Sequence, residues 1–374
     1  MIRKALVLAI ALTAYLLFHK SWLALISISL GILLGFEELL RIKFWRFNTN
    51  TSVGHLRSRL STLPYFEESY NADFRKCFST NKLRAREIFF REKGNFTSSL
   101  LNFTDGLRKT SFTELIKNPK NRVFIFGGST IDCLEVPDDY TIASRLQNLL
   151  NLSATSNPSE KNLHEFEVIN CGVAGASLRA NFEHFQHLNY AKGDICIFYF
   201  GINEIDFGET FFTFKAPLQK IPGIAKLTNR RSNLILLNRF VRLFRTFDPN
   251  DIFFEEKISI VNQSLTSLER SCEERGVKLI AVLQPFINTR LPISHHDRGA
   301  FSLYWPPSHF NAHSLLFERF ANEFKTRKFF VDGRTFFNGI DLDVYTEWCH
   351  TNYLGNQIIA ESFFRIIKEG LSRN

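Results

Sequence analysis

From residue 121 onward the apolar residues gather into short unbroken runs separated by longer mixed stretches. The runs are "RVFIF" (122–126), "FEVIN" (166–170), "ICIFYF" (195–200), "VKLIAVL" (277–283) and "KFFVD" (328–332). Runs of this length, rich in β-branched and aromatic residues and bounded by glycine or polar residues, predict strands covered on both faces. Between them, stretches near 139–150, 177–190, 255–275, 311–326 and 355–369 carry the apolar spacing of helices. Strands alternating with helices imply right-handed crossovers and a mostly parallel sheet with helices on both faces, an α/β domain over 121–374. In such sheets ligands bind outside the carboxyl ends of the strands, so chemistry belongs just after each run.

The first forty residues follow a different pattern. "RKALVLAIALTAYLLFHKSWLALISISLGILLGFEELL" holds two apolar runs, 5–18 and 22–36, parted by His19, Lys20 and Ser21. Each is short against the roughly 20 residues of a spanning helix. A cleaved signal peptide fits poorly, because the apolar character resumes after Lys20 and no small-x-small cleavage site follows. The expectation is a membrane anchor over 1–40, of one or two hydrophobic helices. A hairpin would keep both positively flanked ends on the cytoplasmic side, and a single span would put the domain on the other side. Residues 41–120 alternate basic, aromatic and Asn/Ser/Thr-rich stretches with weak periodicity, and read as a juxtamembrane connector that packs partly onto the domain.

Composition narrows the class only a little. A chain of 374 residues that is 45% hydrophobic and 22% charged is globular, and its 40 phenylalanines demand much apolar burial. The net charge of +9 suits nucleic acid, an anionic membrane surface or acidic glycans alike. Eight of the basic residues fall between Lys215 and Arg245 with no acidic residue among them. There, "LILLNRFVRLFRTF" (234–247) spaces Arg239, Arg242 and Arg245 opposite Leu237, Phe240, Val241 and Phe244, a basic amphipathic helix. It docks on the domain or serves as a lid or membrane-facing surface. With no groove-reading motif in the chain, nucleic acid is not an expected partner. The six cysteines form no CxxC pair, which argues against a zinc ribbon or redox motif.

Four patches follow the predicted strands. "FIFGGST" (124–130) ends in two glycines that present Ser129, and "NCGVAGAS" (170–177) exposes backbone N–H groups around Gly172 and Gly175. "FGINEID" (200–206) offers the Asn203 amide, and "YTEWCHTNYLGNQIIAESF" (345–363) sets His350 before a turn and a helix. Taken singly, each has an ordinary reading as a turn, a helix cap or a structural histidine. Taken in order, they resemble the SGNH (GDSL-like) hydrolase family. That resemblance covers about 250 residues, 121 to 374. It implies a flavodoxin-like three-layer α/β/α sandwich that hydrolyses an ester with no metal or organic cofactor. By position, Ser129 matches the family's nucleophile, Gly175 and Asn203 its oxyanion donors, and His350 its general base. The family's acid, three residues before the histidine, is Glu347 here instead of aspartate, with Asp343 and Asp332 in reserve. The first motif reads Gly-Gly-Ser instead of Gly-Asp-Ser.

These residue types suit acyl transfer. A serine hydroxyl is a weak nucleophile until a histidine takes its proton, and a carboxylate on the other ring nitrogen fixes the tautomer and steadies the imidazolium. The expected partners are an acyl ester of a carbohydrate or lipid, and the membrane. Other readings stay open: the same triad passing its acyl group to a sugar hydroxyl as an O-acyltransferase, or a catalytically inactive binding protein on the hydrolase fold. "GGST" lacks the Gly-Lys-Ser/Thr of a phosphate-binding loop, and "SHHD" (294–297) with His309 and His313 matches no sharp metal-ligand spacing.

Overall fold

The computed structural model describes residues 95–116, 119–156, 166–204, 252–290, 307–346 and 348–372. All of them fall within one of the two compact units into which the chain divides, Leu60–Asp206 with Phe247–Asn374. The two N-terminal apolar runs, residues 41–94 of the expected connector, the basic helix at 234–247, the "SHHD" stretch and Glu347 lie outside the described residues. Among the described residues, no helix is long and apolar enough to cross a membrane.

Seven described strands make one sheet: β1 (Phe103–Thr104), β2 (Leu107–Arg108), β3 (Asn121–Gly127), β4 (Phe166–Gly172), β5 (Ile195–Phe200), β6 (Lys278–Leu283) and β7 (Phe330–Asp332). Their order across the sheet is β1-β2-β4-β3-β5-β6-β7. The five strands from β4 to β7 pair in parallel. Counted from β3, their order is the 2-1-3-4-5 of doubly wound, flavodoxin-like sheets. β1 and β2 extend it in antiparallel fashion, Arg108 pairing with Asn170 of β4.

Six helices are described: α1 (Ser129–Asp132), α2 (Ile142–Ser156), α3 (Leu178–Gln186), α4 (Ile252–Arg275), α5 (Pro307–Phe324) and α6 (Tyr353–Ser372). α2 packs on α6, while α4 packs on α3 and α5. The crossover from β3 runs to one side and the later ones to the other, so right-handed connections put these two groups on opposite faces. Every residue of β5 is buried, as its unbroken apolar run requires of a central strand. Phenylalanines fill one helix layer against the sheet: Phe126 stacks on Phe198 with ring centroids 4.6 Å apart, and Phe185 meets both edge-on. On that side Phe317, Phe320 and Phe324 of α5 are fully buried.

The expected domain start at residue 121 is corrected. Residues 95–116 supply β1 and β2, and Arg108 lies buried in the domain with its guanidinium on Asp138 at 2.6 Å. Two-residue strands carry no periodicity to read, so the domain begins no later than Asn95.

Candidate active site

β3 ends at Gly127, and the chain turns at Gly128 into the single turn of α1, which opens on Ser129. The tightness of this corner explains its glycines. A Cβ at 128 would stand 2.0 Å from the Asn203 amide nitrogen. The turn is tied to the neighbouring strand by Asn170, whose amide donates to the Ile131 carbonyl at 3.0 Å.

His350 arrives from the far end of the described chain on a paired loop. Tyr345 and Thr351 form an antiparallel bridge, Asn352 N–H donates to the Val344 carbonyl at 2.9 Å, and the His350 carbonyl accepts from both the Thr346 N–H and hydroxyl. Asn352 then caps α6, its side-chain oxygen accepting from the N–H groups of Leu354 and Gly355 at 2.9 and 3.0 Å. Behind the loop, Trp348 packs edge-on against His313, and its carbonyl accepts from Ile287 N–H at 3.0 Å.

The two corners meet. His350 Nε2 lies 2.7 Å from Ser129 Oγ, across 221 residues of sequence, and both residues are part-exposed. With the proton on Nδ1, the ring accepts the serine hydroxyl at Nε2, the arrangement from which a serine is deprotonated during attack.

Asn203 follows β5 in a turn opened by Gly201, and its amide donates to the Ala176 carbonyl at 3.1 Å. A carboxamide carries two hydrogens, so one remains for a ligand. Gly175 stands exposed on the loop after β4 with φ +79°, a backbone setting that glycine adopts without strain. The two loops are fastened together by Glu204, whose buried carboxyl accepts the Leu178 N–H at 2.8 Å. Burial pushes the Glu204 carboxyl up to about 7, against the opposing pull of the Leu178 N–H, the Lys257 charge and the Gly201 N–H.

Glu347, the acid expected first, lies outside the described residues, and the two reserve candidates are engaged elsewhere or exposed. Asp332 is engaged by Arg334 at 2.7 and 2.8 Å, and the Asp343 side chain is exposed while its carbonyl takes the Asn352 amide. Glu135, which sequence reasoning passed over, brings Oε1 to 3.7 Å from His350 Nε2. Its only signal was an acid six positions after the serine, in "CLEVPDD" (133–139). Among the described residues, no cluster of three or more His, Cys, Asp or Glu is placed to hold a metal ion. The described cysteines are buried thiols, and burial raises Cys133 to about 12.

No family model matches the chain, and no curated protein matches it. Solved structures similar to it include the acetyl xylan esterase AlAXEase, at 10% identity over 66% of this chain and 99% of that one, TM-score 0.36. Another is Axe2, an acetylxylan esterase from Geobacillus stearothermophilus, at 15% identity over 67% and 95%, TM-score 0.36. A third, described as lipolytic and of the G-D-S-L family, comes from Desulfitobacterium hafniense DCB-2, at 10% identity over 66% and 99%, TM-score 0.36. At these TM-scores the likenesses carry no argument about this chain's fold and assign no residue a role.

Proposed function

We propose that this chain is a serine ester hydrolase of the SGNH type, anchored to a membrane by residues 1–40 and acting on an acyl ester of a carbohydrate or lipid. The observation that carries the reading is the 2.7 Å contact between Ser129 Oγ and His350 Nε2 at the carboxyl rim of a parallel sheet. Ser129 attacks the ester carbonyl as His350 takes its proton. The negative charge that forms on the carbonyl oxygen is bound by the backbone N–H groups of Ser129 and Gly175 and the free hydrogen of the Asn203 amide. His350 returns the proton to the leaving alcohol, and water then releases the acyl group by the same steps in reverse order. Glu347 completes the triad by holding the Nδ1 side of the ring. The basic stretch from Lys215 to Arg245 supports a membrane or anionic glycan as the setting of the substrate.

A fluorophosphonate probe tests the reading on the full chain in detergent. Wild type is expected to be labelled and to cleave short acyl esters, with labelling absent in Ser129→Ala. A wild-type chain that is folded, unlabelled and inert toward a panel of acyl esters makes this a binding protein instead.

A further inference from the structure

A carboxylate faces the wrong edge of the imidazole for an ordinary triad. Triad acids hold Nδ1, yet Glu135 Oε1 lies 3.7 Å from Nε2, the nitrogen in contact with Ser129. The Glu135 side chain is only 14% exposed and that of His350 17%, so water screens the pair weakly.

The position of Glu135 is built. α1 ends at Asp132, and Cys133 after it, with a left-handed backbone (φ 53°), turns the chain back, its thiol donating to the Thr130 carbonyl at 3.0 Å. Arg108 then clamps the segment on both sides of Glu135. Its Nη1 donates to the carbonyls of Asp132 and Cys133 at 3.3 Å, and its Nη2 to that of Val136 at 2.7 Å. Its Nε pairs with Asp138 at 2.6 Å. A fully buried arginine delivered by β2 thus spends four donors on holding one loop, and the residue in the middle of that loop points at the imidazole.

We propose that Glu135 is a positioning carboxylate for His350: it steadies the imidazolium from the Nε2 side and so sets the pH range in which Ser129 is activated. The inference rests on the reading of Ser129 and His350 as nucleophile and base. When the Ser129 oxygen bonds to the acyl carbon, its proton passes to Nε2, and the new positive charge appears beside Glu135. When the carbon–oxygen bond to the leaving alcohol breaks, the proton moves from Nε2 to that oxygen, and the ring is neutral again. Ser129 at 2.7 Å stays the closer partner, so the carboxylate favours the ion without taking the proton. The groups near the pair include the Cys349 thiol, 3.7 Å from Nδ1, the Asp132, Asp138 and Arg108 charges about the Glu135 loop, and, on the proposed reading, Glu347 on the Nδ1 side.

Titration of the His350 imidazole by nitrogen-15 NMR, assigned by difference from His350→Gln, reads the effect in the full chain in micelles. Glu135→Gln is expected to lower the midpoint by about one unit or more, with Glu135→Asp keeping most of the wild-type value. The acid limb of kcat/KM is expected to move down in pH by the same amount, with a plateau about tenfold lower. An unmoved midpoint in folded Glu135→Gln overturns the proposal, and so does a lower plateau with no shift, which would mark a purely structural loop residue. The imidazole titrates whether or not the chain cleaves esters. Failure of the hydrolase reading would therefore appear separately, as absent fluorophosphonate labelling of wild type.

Discussion

The turn that carries Ser129 and the loop that carries His350 are fixed by different means, although they contribute one atom each to a single contact. On the serine side, space is the constraint: Gly128 leaves no room for a side chain beside Asn203, and a buried arginine grips the loop that follows. On the histidine side, hydrogen bonds do the holding, with a bridge between Tyr345 and Thr351, paired backbone around it and Asn352 as the cap of α6. Crowded close packing tolerates little change, because a misplaced atom has nowhere to go. A hydrogen-bonded loop loses its members one at a time, each at modest cost. The serine corner should therefore break abruptly and the histidine corner by degrees.

The largest effect expected is on the serine side. Arg108→Ala removes one member of a buried ion pair and leaves the Asp138 charge to the neutral donors of Asn102 alone, at a cost of about 3–5 kcal/mol in stability by chemical denaturation. Arg108→Lys should rescue little, since one ammonium cannot reproduce the forked set of donors. Next comes Gly128→Ala, whose methyl would displace the Asn203 amide. Esterase turnover is expected to fall about a hundred- to thousandfold, matching Asn203→Ala, with the melting temperature nearly unchanged. A Gly128→Ala enzyme that keeps full activity would show that this corner has slack and would erase the contrast with the histidine loop.

Glu204 sharpens the comparison through pH. Its folded value of about 7 stands above the ordinary 4.5, so the folded state holds a proton that the unfolded chain releases. The contribution is fully present below about pH 4.5 and is lost as pH rises through 7. Glu204→Gln stays neutral throughout, so wild type should lose stability relative to it between pH 5 and 8, by up to about 3 kcal/mol. Melting curves of both proteins at matched pH values check this, and parallel curves would refute it. The smallest effect belongs to the histidine side: Asn352→Ala should cost about 1–2 kcal/mol of stability and leave labelling of Ser129 measurable.

Much of this architecture was readable from pattern alone, for a physical reason. A strand buried on both faces must be apolar without interruption, and "RVFIF" and "ICIFYF" became β3 and β5 within a residue of their expected ends. The glycines before Ser129 and after β5 were legible because a chain leaving such a strand must turn sharply. β1 and β2 left no trace, since a two-residue strand has no period and the partners that hold Arg108 include carbonyls and a carboxylate 24 to 30 positions away. Glu135 was hidden for a related reason. Its approach to His350 depends on the left-handed turn at Cys133 and on a partner 215 positions later, and neither is written in the residues beside it.

The ends of the sheet carry a consequence of their own. Among the described residues, one border is the two-residue β1 and the other the three-residue β7. Borders this brief offer a neighbouring chain almost no open backbone to zip onto, which is how β-containing proteins avoid sticking to one another when concentrated. That makes self-recruitment through strand addition at these two borders a poor route, and leaves the loops at the strand tips as the natural place for encounters.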